Sequence, residues 1–284
     1  MPRVDALVGP GPVLQALLRS LTALTDLRLA VETPHHRREA PAPVATPASP
    51  VSVVMLVHNE AEIVEDVVRE YHRVVIAPLP GSELIVLEDG SRDGTTDILR
   101  RLSRELGITL VHHDERRGYT AALRDGLTRA GNDVIFLSDG DGQHDPADYY
   151  RMRNRLAHAD VVVGWKRPRR DPAYRVLISR VFNALVARMF GIRVHDVNCG
   201  FRLMTRAVAA DLLRDRWQLS ACIASELSIR AHFKGYAIVE VPVRHRPRLH
   251  GPSRGLPLRK LPRDILHIVG ELRTMKKRIA DGTF

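Results

Sequence analysis

The chain has 284 residues, of which 44% are hydrophobic and 5% aromatic, and it carries a formal net charge of +10. This size and composition indicate a folded chain of one large or two small domains. The charge favours an anionic partner, which could be nucleic acid, a membrane surface or a phosphorylated small molecule. The scarcity of aromatic residues argues against base-stacking platforms for single-stranded nucleic acid.

The cysteine content and the hydropathy give expectations about location. Cys199 and Cys222 show neither zinc-site spacing nor a disulfide framework, which favours a reducing compartment. We found no apolar run of about 18 residues and no signal-peptide pattern, so we expect no spanning helix. These patterns together predict a cytoplasmic protein.

The N-terminal fifty residues differ from the rest of the chain. Leucines at helical spacing within residues 13–31 predict an accessory helix in residues 1–32, which could serve as a lid or a dimer contact. Residues 33–50 contain repeated prolines and are predicted to form a linker, because proline sustains neither a helix nor a central strand.

Four short apolar runs follow, each succeeded by a polar turn and a helical pattern. The alternation predicts parallel βαβ units and an α/β fold with a mostly parallel central sheet flanked by helices. The predicted strands are Val51 to Val57, Leu84 to Leu87, Ile108 to Val111 and Val134 to Leu137.

Polar residues follow each of these strands. Glu60, Asp89, Arg117 and the pair Asp139 and Asp141 stand at the four carboxyl ends. Because the carboxyl ends of parallel strands share one edge of a sheet, we expect all of them to face one crevice.

Asp139, Asp141 and Gln143 are candidate metal ligands. Two carboxylates separated by one small residue, followed by a neutral oxygen ligand, suit a divalent cation such as Mg²⁺ or Mn²⁺. The alternative is an acidic turn, since Asp and Gly are common in turns and Asp145-Pro146 is typical of a helix start.

The next part of the chain continues the α/β pattern. Val161 to Lys166 is a predicted strand with a cation at its end, and a helix is predicted at about 173–190. Asp196 to Arg202 is a polar, glycine-containing segment, and Glu226 lies in a helix that reaches Phe233. Ile238 to Val243 is a predicted strand whose Pro242 indicates an edge position.

The last forty residues are strongly basic. Residues 244–254 contain four arginines and are predicted to form a mobile loop, which either orders around an anionic ligand or is a solvated basic surface. Leu258 to Ile279 is a basic amphipathic helix, which either lies on an anionic membrane or packs on the core.

Several of these segments resemble motifs of the inverting GT-A glycosyltransferases of family 2. Within that family the chain is most similar to polyprenyl-phosphate sugar synthases such as dolichol-phosphate mannose synthase. The resemblance covers residues 51–256 and leaves 257–284 as the C-terminal helix. The motifs that carry it are Val51–Glu60, Glu88–Thr95, Asp139–His144, Gly164–Lys166, Asn198–Leu203 and Arg248–Arg254.

This resemblance implies roles for individual residues. The implied metal ligands are Asp139, Asp141 and Gln143, and the implied catalytic residues are Asp141, Lys166, Arg202 and Glu226. The residues implied to bind a UDP- or GDP-linked donor sugar are Val57, His58, Glu60, Glu88, Asp89, Arg117, Gly118, Asp139, Gly140, Arg248, Ser253 and Arg254.

The resemblance implies transfer of a sugar to a polyprenyl phosphate, with peripheral contact at the inner face of the membrane and, as one option, a homo-oligomer. A phosphate nucleophile needs no strong general base. A small hydroxylated metabolite is the alternative acceptor and would need a proton acceptor, for which Glu226 is the candidate. A nucleic-acid-binding protein is a third hypothesis, which we rank below both enzymes.

Overall fold

The computed structural model describes residues 49–248 and 261–283, without the side chains of residues 261 and 262. The predicted accessory helix, nearly all of the predicted linker, and Ser253 and Arg254 lie outside the described residues. The strands are β1 (Ser52–Val57), β2 (Glu83–Asp89), β3 (Thr109–His113), β4 (Val134–Asp139), β5 (Val161–Lys166), β6 (Arg202–Thr205) and β7 (Ile238–Val243).

Eight α-helices are described beside these strands. They are α1 (Val64–Tyr71), α2 (Thr95–Leu106), α3 (Tyr119–Arg129), α4 (Asp148–Arg155), α5 (Ala173–Phe190), α6 (Arg206–Leu213), α7 (Ile223–Phe233) and α8 (Leu261–Ala280).

The seven strands form one sheet in the order β3-β2-β1-β4-β6-β5-β7. Strands β1 to β4 pair in parallel, and β5 pairs in parallel with β7. The chain builds outward from β1 to β3 and then returns to the other side of β1 with β4. In an open α/β sheet, such a reversal between β1 and β4 leaves a crevice at the carboxyl ends of the strands. The predicted fold class is therefore confirmed.

Strand β6 is the main element that the sequence did not predict. It runs antiparallel between β4 and β5, so that Leu203 pairs with both Phe136 and Val162. Its four residues are too few to show a period, and it begins with the charged Arg202. The predicted bounds of β5, α5 and β7 are confirmed, as is the edge position of β7.

Helix α8 packs against the domain with its apolar face. Ile268, Val269, Leu272 and Met275 are buried, and Glu271 accepts a hydrogen bond from the backbone amide of Ser220. The sequence left open whether this helix lies on a membrane or packs on the core. Packing on the core accounts for its apolar stripe. None of the helices in the described ranges is both long and apolar enough to cross a bilayer.

The close approach of α3 to the sheet depends on Gly126. A Cβ atom at this position would lie 2.4 Å from Cγ1 of Val54 and 2.8 Å from Cδ2 of Leu87. These contacts are far inside van der Waals distance, so any side chain here would push the helix away from β1 and β2.

We predict that Gly126→Ala lowers the free energy of unfolding by about 1–3 kcal/mol, because overpacking outweighs the better helix propensity of alanine. Denaturant unfolding measures the change. Gly270→Ala in α8 is the matched control, because no described atom lies within 4 Å of its added Cβ. We expect it to be neutral or stabilising by up to about 1 kcal/mol. Equal effects of the two substitutions would contradict this account of the α3 packing.

Candidate active site

A cavity of about 810 Å³ opens at the carboxyl ends of β1, β2, β4 and β5. The strand ends therefore converge as the sequence predicted. The predicted site residues that line the cavity are Val57, His58, Glu60, Asp89, Arg117, Gly118, Asp139, Gly140, Asp141, Lys166 and Arg248.

Asp139 and Asp141 stand at the end of β4 with little free space around them. The amide of Gly140 donates to the carbonyl of Leu56 at 2.8 Å, which fixes the turn between the two aspartates. The Tyr119 hydroxyl donates to Oδ1 of Asp139 at 3.1 Å. A Cβ atom on Gly200 would lie 2.7 Å from Oδ2 of Asp139, so only glycine leaves room for this carboxylate.

The electrostatics of this pair favour a bound cation. Burial, reinforced by the charge of Asp141, raises the pKa of Asp139 to about 6. Burial also raises the pKa of Asp141 above its ordinary value. A divalent cation would relieve both the desolvation and the repulsion of the two carboxylates.

The donor set fits Mg²⁺ or Mn²⁺ bound together with a phosphorylated ligand. Within residues 49–248 and 261–283, no three His, Cys, Asp or Glu side chains cluster as a metal site. Mg²⁺ is usually held by one or two carboxylates, with substrate phosphates and water completing the octahedron. Asp139 and Asp141 would be the two carboxylates.

Gln143 lies behind this pair and not on the cavity wall. Its backbone amide donates to Oδ1 of Asp141 at 3.1 Å, and its side-chain amide donates to the carbonyl of Arg246 at 3.4 Å. In this position Gln143 orients Asp141. Its role as a direct metal ligand stays a prediction.

Asp89 anchors the opposite rim of the cavity. Its carboxylate accepts hydrogen bonds from the backbone amides of Arg117 and Gly118, both at 2.8 Å, and pairs with Nδ1 of His113 at 3.0 Å. Burial alone would raise the pKa of Asp89, but these hydrogen bonds outweigh it and hold the pKa below its ordinary value. Asp89 is therefore a fixed anion that shapes the loop of residues 116–118.

Glu88, by contrast, points away from the cavity. Its buried carboxylate accepts from the amide of Ser91 at 2.5 Å and from the Thr96 hydroxyl at 3.0 Å, and it pairs with His112. It stabilises the turn that leads into α2. A direct contact with a nucleotide base stays a prediction that this orientation does not favour.

Lys166 marks the other side of the cavity, together with residues that the sequence did not single out. Its Nζ lies 3.7 Å from Oδ2 of Asp196, and Nη1 of Arg169 lies 3.6 Å from the same oxygen. Arg169 also donates to the Ser179 hydroxyl at 2.7 Å. Arg175, in the first turn of α5, lines the cavity beside them. Arg169 and Arg175 lie in a part of the sequence that is rich in arginine, where spacing alone gives neither residue a role.

Part of the cavity wall is apolar. Three helices contribute to this part, which we call the apolar lobe. Its residues are Ile178, Val181, Phe182 and Leu185 from α5, Ile223 and Ala224 from α7, and Ile265, Ile268 and Val269 from α8.

Arg202 and Glu226, both predicted to be catalytic, are fully buried and do not line the cavity. Arg202 donates to the carbonyl of Cys199 at 2.6 and 2.9 Å and to the Ser228 hydroxyl at 3.3 Å. Glu226 accepts from Arg230 at 2.8 and 2.9 Å and from the amide of Leu219 at 2.7 Å. Both side chains hold the backbone around the site, and their catalytic roles stay predictions that this burial does not favour.

The segment 244–248, predicted to be a mobile loop, is anchored by alternate arginines. Its backbone pairs with residues 143–145, since the amide of Arg246 donates to the carbonyl of Gln143 at 2.7 Å. The three arginines form ion pairs with acidic side chains on neighbouring elements. The pairs are Arg244 with Asp145 and Asp148, Arg246 with Glu70 and Asp145, and Arg248 with Glu60 and Asp141.

Comparisons with known proteins identify relatives of this chain. The chain is 30% identical over 220 residues to the undecaprenyl-phosphate 4-deoxy-4-formamido-L-arabinose transferase of Pseudomonas paraeruginosa, covering 76% of this chain and 63% of that protein. It is 28% identical over 243 residues to the dodecaprenyl-phosphate galacturonate synthase of Rhizobium johnstonii, covering 82% of this chain and 70% of that protein. The chain thus spans less than two thirds of the first relative.

A solved structure supports the fold. The glucosyl-3-phosphoglycerate synthase of Mycobacterium tuberculosis, in complex with Mn²⁺, UDP and phosphoglyceric acid, superimposes with a TM-score of 0.62 at 22% identity, covering 80% of this chain and 78% of that one. A sequence model described as Glycosyl transferase family 2 matches residues 52–213, which is more than half of the chain. The chain therefore belongs to glycosyl transferase family 2, as its motifs predicted.

Proposed function

We propose that this protein transfers a sugar from a nucleoside diphosphate sugar to the phosphate of a polyprenyl carrier, with inversion at the anomeric carbon. The observation that carries the proposal is the composition of the cavity wall. One cavity is lined by a carboxylate pair, by the cations Lys166, Arg169 and Arg175, and by an apolar lobe. These three kinds of group match a diphosphate with its cation, an acceptor phosphate and a hydrocarbon chain.

The donor half would bind the nucleotide against Asp89 and the loop of residues 116–118. A divalent cation held by Asp139 and Asp141 would supply positive charge to the leaving diphosphate. UDP and GDP both remain candidates for the nucleotide. The names of the relatives support the proposed acceptor class, since both act on polyprenyl phosphates.

The acceptor half would bind and orient an anion. Burial alone would lower the pKa of Lys166, but Asp196 together with other nearby groups, Asp139 among them, outweighs it and holds the pKa above its ordinary value, so Lys166 stays charged. The acceptor phosphate would attack the anomeric carbon from the side opposite the diphosphate, and the bond from that carbon to the diphosphate oxygen would break. Because the phosphate is already an anion at neutral pH, no side chain has to remove a proton.

The hydroxyl-acceptor alternative has less support. It needs a proton acceptor at the substrate, and the carboxylate of Glu226 is buried against Arg230. The nucleic-acid hypothesis was suggested by the positive charge of the chain. It is no longer needed to explain the arginines around the cavity, because ion pairs and the proposed anionic substrates account for them.

The first prediction concerns the metal and the donor. We expect UDP or GDP to raise the melting temperature strongly only when Mn²⁺ is present, because the cation would link the diphosphate to the two carboxylates. A nucleotide at about 100-fold excess over its Kd stabilises the folded state by about 2.7 kcal/mol. Asp139→Ala should abolish this shift in a thermal unfolding assay. Asp97→Ala removes an exposed carboxylate of α2, 84% accessible, and should leave it unchanged. A full shift in Asp139→Ala would contradict the proposed metal site.

A second prediction concerns the apolar lobe. Ile178→Asp should raise KM for a short-chain polyprenyl phosphate about tenfold or more, because a charge replaces apolar contact with the chain. Titration with the donor nucleotide should give the wild-type affinity. Leu177→Asp is the control, since Leu177 is the neighbouring residue on α5, is 42% exposed and does not line the cavity. Equal effects of the two changes on KM would argue against the lobe as an acceptor site.

A third prediction separates the two acceptor classes. Glu226→Gln should lower the free energy of unfolding by about 3–5 kcal/mol, because it leaves Arg230 buried without its partner. Turnover per folded molecule should stay near that of wild type at a temperature where the variant is folded. A loss of turnover of about 100-fold with unchanged stability would instead identify Glu226 as a proton acceptor and revive the hydroxyl-acceptor hypothesis.

A further inference from the structure

Arg248 joins the two halves of the proposed donor site. Its Nη2 donates to both carboxylate oxygens of Glu60, at 2.5 and 2.7 Å, and its Nη1 donates to Oδ2 of Asp141 at 3.3 Å. The three side chains are only 14%, 11% and 22% exposed. A guanidinium therefore bridges the end of β1 and the turn after β4, at one of the two carboxylates that would hold the metal.

This contact would compete with metal binding. Oδ1 of Asp141 accepts the amide of Gln143, and Oδ2 accepts Arg248, so each oxygen has only part of its lone-pair capacity left for a cation. A divalent cation at Asp141 would also be repelled by the guanidinium, because like charges a few ångströms apart interact strongly in a partly buried site.

We propose that Arg248 is an internal counter-ion for Asp141, which gives up this carboxylate to the divalent cation and turns to the donor diphosphate. The inference rests on the proposed nucleotide-sugar and metal site. It predicts that the metal binds weakly without nucleotide and that metal and nucleotide strengthen the binding of each other, both through one side chain.

The surroundings of Arg248 allow such an exchange with a small movement. Arg244 and Arg246 hold the backbone of the segment through Asp148 and Glu70. Glu60 is itself fixed, because its amide donates to the Thr95 hydroxyl at 2.9 Å. Arg248 can therefore keep its bidentate pair with Glu60 while Nη1 leaves Asp141, which keeps the guanidinium on the cavity wall.

The consequence is a thermodynamic coupling. A cation that binds alone has to displace Arg248 without compensation, whereas a cation that arrives with a diphosphate provides the guanidinium with a new anionic partner. Such a linkage makes each ligand strengthen the binding of the other by the same factor.

The test measures Mn²⁺ binding without nucleotide, from the electron paramagnetic resonance signal of free Mn²⁺. We expect Arg248→Gln to bind Mn²⁺ about fivefold or more tightly than wild type, which is the lower end of typical coupling free energies. Arg117→Gln is the matched control, because it removes the same charge from the cavity rim and its guanidinium pairs with Asp125. Its Mn²⁺ affinity should rise by much less. The Mn²⁺ affinity of Arg248→Lys should lie between those of wild type and Arg248→Gln, since lysine keeps the charge but cannot contact Glu60 and Asp141 at once as a guanidinium does.

A second titration measures UDP and GDP at saturating Mn²⁺. Arg248→Gln should lower the affinity for the nucleotide that wild type prefers by about tenfold, because the diphosphate loses a charged hydrogen-bond donor. The variant thus has opposite effects on its two ligands. A general loss of folding would weaken both, and thermal unfolding of each variant identifies that case.

The outcomes separate this inference from the proposed function. Mn²⁺ affinity that is unchanged or lower in Arg248→Gln, or raised equally in Arg117→Gln, overturns the counter-ion role while leaving the metal site intact. Unchanged nucleotide affinity overturns the transfer of Arg248 to the diphosphate. If neither wild type nor Arg248→Gln binds Mn²⁺, or if Asp139→Ala binds it as well as wild type, the proposed metal site fails and this inference fails with it.

Discussion

The structure around the cavity depends on two half-buried carboxylates at the end of β4. Asp139 and Asp141 repel each other and lose hydration, which is why the pKa of Asp139 lies near 6. Their neighbours offset this cost in different ways. Tyr119 and the amide of Gln143 donate hydrogen bonds, Arg248 supplies a charge, and Gly140 and Gly200 leave the space. Two neighbouring carboxylates in a partly buried place form a site that favours a divalent cation.

The sequence predicted the parts of this arrangement that depend on local period. The apolar runs of β1 to β4 and the helices between them repeat regularly, and parallel pairing then brings the four polar strand ends to one edge. Asp89, Asp139 and Asp141 could be placed at the cavity on that basis alone, whereas Lys166 was placed there by the family resemblance. The antiparallel β6 could not, because it spans four residues and its position depends on pairing with both β4 and β5.

The direction in which a side chain points was the other quantity that spacing could not provide. Glu88 and Asp89 are adjacent on one strand, so they face opposite sides of the sheet, and only Asp89 reaches the cavity. Arg202 and Glu226 have residue types that suit catalysis, but each is satisfied by buried partners. The arginines of segment 244–248 were visible as charge, whereas their carboxylate partners come from residues 60 to 148 and are distant in the sequence.

Helix α8 shows how one pattern can serve two purposes. Its apolar stripe contributes Leu272 and Met275 to the core and Ile265, Ile268 and Val269 to the apolar lobe. The stripe is therefore already covered, and the exposed side carries Arg263, Arg273 and Lys277, with Leu266 as an exposed apolar residue. A membrane contact through this helix would thus rest on attraction between cations and anionic headgroups, which weakens with salt, and not on insertion of an apolar face.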